Sequence, residues 1–366
     1  MHNIPDITFI GAGITGLLSA RLFSLAGANV TLIDQSFIAQ ESSWAGGGIL
    51  LPLYPWRQAT AISELVKHSI HQYPALTGAL INATGISPEY QVSGLLMTQL
   101  EDVSAAKSWC DKYNMAYQAA TAEQTQRYSQ ANNDSLWMPE VAQARNPRLL
   151  KSLKQDLLQR GVKIIENCQI ETATIKNSKI TEIASATERF SVEQLVITSG
   201  AWSANLWQDL LANHVMKPDI FPVKGQMIIL EAEKHALSEM ILQQSNYLIP
   251  RQDGKVLCGS SVESVGFDKR VSEEQKQTLT NFARKLCPSV LKDAPVIHHW
   301  AGLRPGTKQG IPYIDKHPEI QNLAINAGHF RNGFAMGPAA AQLLFDLIVN
   351  QATDLDASLY ALDATH

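Results

Sequence analysis

Ile7-Thr8-Phe9-Ile10-Gly11-Ala12-Gly13-Ile14-Thr15-Gly16-Leu17-Leu18 is the stretch on which the fold turns. Ile7 to Ile10 reads as a short strand buried on both faces, and the pattern then changes to that of a helix over Ile14 to Leu25. Between them Gly11, Gly13 and Gly16 stand at G-x-G-x-x-G spacing. Gly11 permits a tight turn, Gly13 lets the backbone approach a diphosphate, and Gly16 allows the helix to pack closely on the strand. The helix start, with Ile14 and Thr15 in its first turn, offers free amides and the positive end of a dipole to the same phosphates. Asn29 to Ile33 returns as a second strand, and Asp34 at its end places a carboxylate where an adenosine ribose is held. The unit is βαβ and its ligand a dinucleotide.

Working outward, Leu149, Leu150, Leu153, Leu157 and Leu158 have helix spacing, Val162 to Ile165 follows as a strand, and Leu195 to Thr198 is another apolar run. Leu323 to Ala327 reads as a returning strand, and Ala339 to Val349 as a helix burying Leu343, Leu344, Leu347 and Ile348. Gln91 to Gln99, Val223 to Glu231, Tyr247 to Pro250 and Val256 to Gly259 read instead as antiparallel sheet. The expected fold class is α/β: a Rossmann-like, doubly wound domain interleaved with an antiparallel-sheet α+β domain. The first is expected to comprise residues 1–84, 146–217 and 301–366, the second residues 85–145 and 218–300.

Composition narrows the partners. The 366 residues carry a formal net charge of -4, with 30 basic against 34 acidic side chains, so no nucleic-acid partner is expected. No apolar run approaches the roughly 18 residues of a membrane helix, and the early first strand leaves no room for a secretion signal. Cys110, Cys168, Cys258 and Cys287 are scattered, without metal or redox spacing, and read as reduced thiols of a cytoplasmic protein. No metal site is expected.

The dinucleotide motif alone does not separate NAD from FAD. Ser42-Ser43-Trp44-Ala45-Gly46-Gly47-Gly48-Ile49-Leu50 is a small-residue loop suited to lie against a flat ring and diphosphate. A second glycine-rich site, Gly328-His329-Phe330-Arg331-Asn332-Gly333-Phe334-Ala335, lies between a strand and a helix. A helix N-terminus there would stabilise the negative charge that reduction places on an isoalloxazine. One ligand touched near both ends of the chain favours the longer cofactor, FAD. Ala301 to Lys316 contains no cysteine that could attach it covalently.

These motifs, with Phe221-Pro222-Val223-Lys224-Gly225, Tyr247-Leu248-Ile249-Pro250-Arg251 and Trp300-Ala301-Gly302-Leu303-Arg304-Pro305-Gly306-Thr307, resemble the glycine oxidases of the D-amino-acid oxidase (DAO) family over nearly the whole chain. The resemblance implies FAD contacts at Ile14, Thr15, Asp34, Gln35, Ser42, Ser43, Gly47, Gly48, Ile49, Ile170 and His329, Phe330, Arg331, Asn332, Gly333, Phe334 and Ala335. It implies substrate contacts at Arg304, Arg331 and Tyr247. Chemistry gives the same roles: a carboxylate calls for the planar fork of an arginine, and Arg304, between Gly302 and Pro305-Gly306, reads as held in a rigid turn. Departures at Ser245, Asn246 and Val262, the last read as lying on the strand after Tyr247, leave the substrate range open. Trp44, Tyr54 and Trp56 read equally as entrance residues or as packing.

The implied reaction moves the α-hydrogen of glycine, sarcosine or a small D-amino acid to the flavin as hydride. Water hydrolyses the resulting imine, O2 becomes H2O2, and the imine is a potential source for the thiazole of thiamine. The expected partners are thus the amino acid and O2, with a homo-oligomer left open. Three alternatives remain at this point: a dehydrogenase passing electrons to a quinone, an oxidase-like domain of an RNA-modifying protein, and a noncatalytic flavin-binding module.

Overall fold

In a computed structural model the described residues are 4–129, 131–132, 134–211 and 216–366. Ile7–Ile10 is buried throughout and sits inside a six-stranded sheet. From one edge the order is Tyr313–Lys316, Leu323–Ala327, Gln194–Ile197, Ile7–Ile10, Val30–Ile33 and Lys163–Ile165. Every neighbouring pair is parallel except the edge pair of Tyr313–Lys316 with Leu323–Ala327. Phe9, Leu32 and Val196 face the layer of helices Ile14–Leu25, Asn146–Gln159 and Gly333–Ile348. Ile10, Ile33, Leu195 and Ile197 face the opposite way, onto Trp207, Leu210, Ile180 and Ile183. Burial on both faces is why these strands show no polar alternation.

The second sheet has eight strands, ordered Val296–Gly306, Phe221–Glu231, Lys255–Gly259, Asn246–Pro250, Met240–Gln243, Leu95–Thr98, Leu136–Met138 and Gln118–Ala119. Met227, Tyr247, Ile249 and Leu257 pack toward the first sheet's core, whereas Ile228, Leu248, Val256 and Cys258 pack under helix Glu273–Leu286 through Leu279, Ala283 and Leu286. The chain passes between the two sheets repeatedly, as the interleaved α/β reading requires.

Three local expectations are corrected. Gln91 to Gln99 is not one segment: Gln91–Val92 pairs antiparallel with Ala142–Gln143, and Leu95–Thr98 joins the large sheet, antiparallel to Leu136–Met138 on one side but parallel to Met240–Gln243 on the other. The break falls at Gly94, whose φ of +66° and close approach to the Trp137 ring exclude a side chain. The last helix begins at Gly333 rather than Ala339, despite Gly337 and Pro338. Gly337 lets it close on Leu18, and the Phe334 carbonyl, which Pro338 has no N–H to bond, accepts a hydrogen bond from the Tyr73 hydroxyl at 2.5 Å. Leu347 is only half-buried.

The glycine turn shows what fixes the first helix. Gly11 has φ +105°, and a Cβ there would stand 2.6 Å from Ser199 backbone. A Cβ on Gly16 would stand 2.2 Å from the Gly11 carbonyl oxygen, so strand end and helix touch through bare backbone. Gly16→Ala is therefore expected to lower stability by about 2 kcal/mol, the scale of overpacking a closed contact. Thermal unfolding of the variant checks this, and an unchanged midpoint would contradict the close packing.

Candidate active site

One large cavity lies at the carboxyl ends of Ile7–Ile10, Val30–Ile33 and Gln194–Ile197 and continues to the second sheet. This is the crevice where a doubly wound sheet binds its ligand. Its walls include Gly11, Gly13, Ile14, Thr15, Asp34, Gln35, Ser42, Ser43, Gly47, Gly48, Ile49, Ile170, Tyr247, Arg304, His329, Phe330, Arg331, Asn332, Gly333 and Phe334. Residues spread over most of the chain thus meet in one space. Gly16 and Ala335 do not line it: Gly16 is spent on packing, and Ala335 is buried among the helices.

At one end, the first helix starts at Ile14 without a side-chain cap from its N-cap residue, Gly13. The Ile14 amide donates to Ser43 Oγ at 2.9 Å, which draws the small-residue loop onto the turn. Asp34 is already engaged: it accepts from the Ala12 amide at 2.8 Å and from the Ser36 amide at 2.9 Å. Burial raises the Asp34 carboxyl above its ordinary range, against the opposing pull of these two backbone bonds. Asp34 therefore holds the glycine turn through the Ala12 amide while lining the cavity.

The loop at Gly47-Gly48 is held by residues that the sequence did not single out for this task. Gly48 has φ +80°, and a Cβ there would meet the Ala144 carbonyl oxygen at 2.0 Å. Arg251, fully buried, donates to the Gly47 carbonyl at 2.6 Å and to Gln143 Oε1 at 2.6 Å. Desolvation pushes its guanidinium down to about 10. Asn146 donates to the Ser43 carbonyl at 2.8 Å, while its buried Oδ1 has no partner. The Asn-Pro start of its helix gave no sign of this role.

Beside Ile14, at Gly333, the last helix Gly333–Ile348 starts without a side-chain cap, and Asn332 donates instead to Gln58 at 2.9 Å. His329 is buried, its Nε2 lies 2.7 Å from Asn326 Oδ1, and its Nδ1 has no partner. The Asn326 amide nitrogen points at Ser19 Oγ and the Ala340 carbonyl, so Nε2 carries the proton and Nδ1 is a bare acceptor. Desolvation drives the imidazole down to about 3.

Arg304 stands on the long strand Val296–Gly306, not in a turn: Gly302 and Gly306 are extended and paired with Gly225 and Phe221. Its guanidinium lies over Gly225, where a Cβ would be 2.1 Å from Nη2. Nη1 donates to the carbonyls of Lys224 at 3.3 Å and Ser261 at 3.1 Å, and Nη2 donates to Ser260 Oγ at 2.7 Å. Three of the five donors of an arginine are thus spent on neutral acceptors, leaving two. Glu263, whose charge Arg304 feels, is itself paired with Lys224 at 2.9 Å. Among the described residues no carboxylate pairs with Arg304 or with Arg331, whose buried Nε is also unpartnered. Burial, then the neighbouring Arg331, pushes Arg304 down to about 10; burial also lowers Arg331. Tyr247 is buried beside them, its hydroxyl 3.7 Å from Met227 Sδ.

Other expectations resolve as packing. Trp44 stacks edge-on with Trp300, Tyr54 with Trp56, and the Trp56 indole donates to Asp102 at 2.7 Å; none lines the cavity. Val262 lies beyond the strand Lys255–Gly259, in a stretch that places Ser260 and Ser261 on Arg304 and meets the neighbouring strand again where Glu263 bridges to Lys224.

This arrangement suits FAD. Two helix N-termini, at Ile14 and Gly333, stand side by side on one long cavity, and the buried Asn146 Oδ1 and His329 Nδ1 on its wall have no donor from the protein. Fold and site define a flavin-dependent oxidoreductase. The chain belongs to the DAO family of FAD dependent oxidoreductases, whose pattern it matches over residues 6–347. It is 37% identical to the glycine oxidase of Pseudomonas putida, over 97% of this chain and 98% of that protein. It is 28% identical to the bifunctional protein ThiO/ThiG of Synechocystis, over 96% of this chain and 52% of that protein. The crystal structure of glycine oxidase from Geobacillus kaustophilus superposes with a TM-score of 0.90 at 24% identity, covering 98% of this chain and 99% of that one.

The neutral His329 has a consequence for stability. Its folded-state pKa, near 3, is depressed from 6.5, so its contribution is full above about 6.5 and is lost as pH falls toward 3. Thermal midpoints are expected to drop between pH 7 and pH 4.5. His329→Gln, which keeps a donor for Asn326 but has no proton to gain, should flatten part of that drop. An equal drop in both proteins would contradict the buried neutral imidazole.

Proposed function

We propose that this flavoenzyme is a glycine oxidase that acts on glycine first and on sarcosine and small D-amino acids next. The observation that carries the reading is Arg304: a half-buried cation on the cavity wall with no carboxylate paired to it among the described residues and two unspent donors, the number a carboxylate accepts side by side. Arg331 adds a second unpaired positive charge and Tyr247 a hydroxyl on the same wall. The names of the relatives support glycine as the substrate, and the ThiO/ThiG relative accords with use of the imine for a thiazole.

FAD supplies an acceptor for the hydride from the substrate's α-carbon and returns the electrons to O2. The chain's own task is orientation. Arg304 fixes the carboxylate and so the α-carbon, ideally about 3–3.5 Å from its acceptor. The start of helix Gly333–Ile348 would favour negative charge at the pyrimidine edge. Gly11 to Thr15, with Ser43 and Asp34, would hold the adenosine diphosphate half, and Gly47 to Ile49 the ring. No side chain need take a proton if the amine enters neutral. Glycine, O2 and water then give glyoxylate, ammonia and H2O2.

Peroxide release across glycine, sarcosine, D-alanine and D-proline tests the activity, and absence of peroxide with all four would refute it. Arg304→Ala should keep its flavin spectrum yet lose about 2–5 kcal/mol in kcat/KM for glycine, with Arg304→Lys recovering only part. Equal losses with an amine that lacks a carboxylate would refute the clamp. Cys168 is the one cysteine on the cavity wall and lies beside Gln169 and Ile170, near Asp34 and far along the chain from the flavin-side loops, so acid should release all the FAD. Yellow colour on the denatured chain would contradict this. Asp34→Ala should weaken FAD by about 1–3 kcal/mol, now through the lost Ala12 bond as well.

A further inference from the structure

Arg304 stands on one face of the antiparallel sheet, and a second set of polar groups fills the other. Arg304 pairs with Val223, so its side chain shares a face with Gly225 and Met227, which line the cavity. Lys224 and Gln226 alternate with them and point the opposite way. Both are buried, at 5% and 0% exposed, and polar side chains so placed need partners. The stretch after Gly259 supplies them. The Glu263 carboxylate meets Lys224 Nζ at 2.9 Å and accepts from Gln226 Nε2 at 2.9 Å. Lys224 Nζ donates onward to the Arg270 carbonyl at 3.1 Å, and Gln226 Oε1 accepts from the Ser272 amide at 2.9 Å, with His299 Nε2 3.0 Å from the same oxygen. Both ends of the excursion 264–271 are thereby pinned to one strand.

Two links carry this brace to the guanidinium. The Lys224 carbonyl, which accepts from Arg304 Nη1, also accepts from the Glu263 amide at 3.0 Å. The Ser261 carbonyl is the other acceptor of Nη1, and Ser261 is held at each remaining polar atom. Its amide donates to the Gln226 carbonyl at 3.3 Å. Its hydroxyl accepts from the Gln226 amide at 2.8 Å, so its one proton goes to Glu263 Oε1 at 2.5 Å. Oε1 thus takes the protons of Ser261 and Gln226 while Oε2 faces the Lys224 ammonium. An ionised carboxylate accepts on both oxygens at once. Glutamine in its place turns an amide N–H toward Lys224 or toward Ser261 and Gln226, donor against donor.

We propose that Glu263 is a positioning residue for the carboxylate site: acting through Ser261 and the Lys224 carbonyl, it fixes the direction of the Arg304 guanidinium and with it the affinity for a substrate carboxylate. This rests on the reading of Arg304 as the carboxylate clamp. Because its oxygens are spent on Lys224, Gln226 and Ser261, Glu263 aims the guanidinium without pairing with it. The two unspent donors of Arg304 then keep one orientation before the substrate arrives, and less rotamer freedom is lost on binding.

Acetate presents a carboxylate and has no amine to oxidise, so its affinity for the holoenzyme, read from flavin absorbance, reports on the clamp alone. Glu263→Gln should weaken acetate about tenfold, the scale of one lost hydrogen bond to a charged group, and leave FAD affinity within about twofold. The KM for glycine should rise by a similar factor, with a smaller fall in kcat. Ser261→Ala, which removes the relay but keeps the Lys224–Glu263 pair, should weaken acetate likewise, and Ser261→Thr, which keeps the hydroxyl, should recover most of the loss. If Glu263→Gln does not retain FAD, these two variants carry the test. In glycine kcat/KM, Glu263→Gln placed in the Arg304→Ala protein should cost less than about twofold further, because nothing is left to aim. A cost as large there as in the parent would mark Glu263 as a support of the fold and overturn the proposal. Acetate affinity that falls with Arg304→Ala but not with Glu263→Gln or Ser261→Ala also overturns it, and leaves the proposed function standing. Acetate binding governed by both residues in a protein that does not oxidise glycine would sink the proposed function and uphold the positioning role.

Discussion

A guanidinium drawn partly out of water without a counterion carries a desolvation cost, and the antiparallel sheet is organised to hold one at Arg304. Gly225 gives the group a flat bed, and two carbonyls and a serine hydroxyl receive three of its protons. The segment after Lys255–Gly259 breaks regular pairing to supply two of those acceptors and then bridges back to Lys224 at Glu263. It is anchored from behind, where Glu263 meets Lys224 and Gln226. Every one of these partners is neutral at the guanidinium itself, so the positive charge stays available to the cavity. A carboxylate arriving there would relieve a cost already present in the folded chain, which makes substrate binding and local stability one problem.

The cofactor end is governed by backbone rather than charge. Gly11, Gly16 and Gly48 each stand where a Cβ would run into a neighbouring backbone atom. Their absence of side chains lets strand, helix and loop converge tightly enough to leave amides facing one space. Arg251 and Asn146 then fix the loop through its carbonyls at Gly47 and Ser43. The two helix starts are held together by packing: Gly337 brings the last helix against Leu18 on the first, and Gly333 stands beside Ile14.

What the sequence revealed follows from which interactions are local. The βαβ unit was legible because turn, helix and buried strands each have a short-range signature, and Asp34 falls at a fixed place after them. Arg304 and Arg331 were legible as charges among glycines that had no surface role. Their settings were not. Gly302 and Pro305-Gly306 read as a turn because breakers usually interrupt a strand, whereas pairing with residues some eighty positions earlier overrides that preference. Gly94, Gly337 and Pro338 misled in the same manner, each answering a contact distant in sequence. Asn146, Arg251 and Ser260 were silent because a polar side chain that holds a remote carbonyl or guanidinium leaves no periodicity behind.

The central claim is that Arg304 converts a half-buried charge into a carboxylate clamp beside a flavin. Anaerobic mixing of the purified holoenzyme with glycine tests it most directly, followed by the bleaching of the oxidised flavin absorbance. The account predicts full bleaching of one FAD per chain by glycine, little or none by methylamine at the same concentration, and a selective loss of the glycine reaction in Arg304→Ala. Bleaching by methylamine as readily as by glycine, or undiminished bleaching in Arg304→Ala, would contradict it.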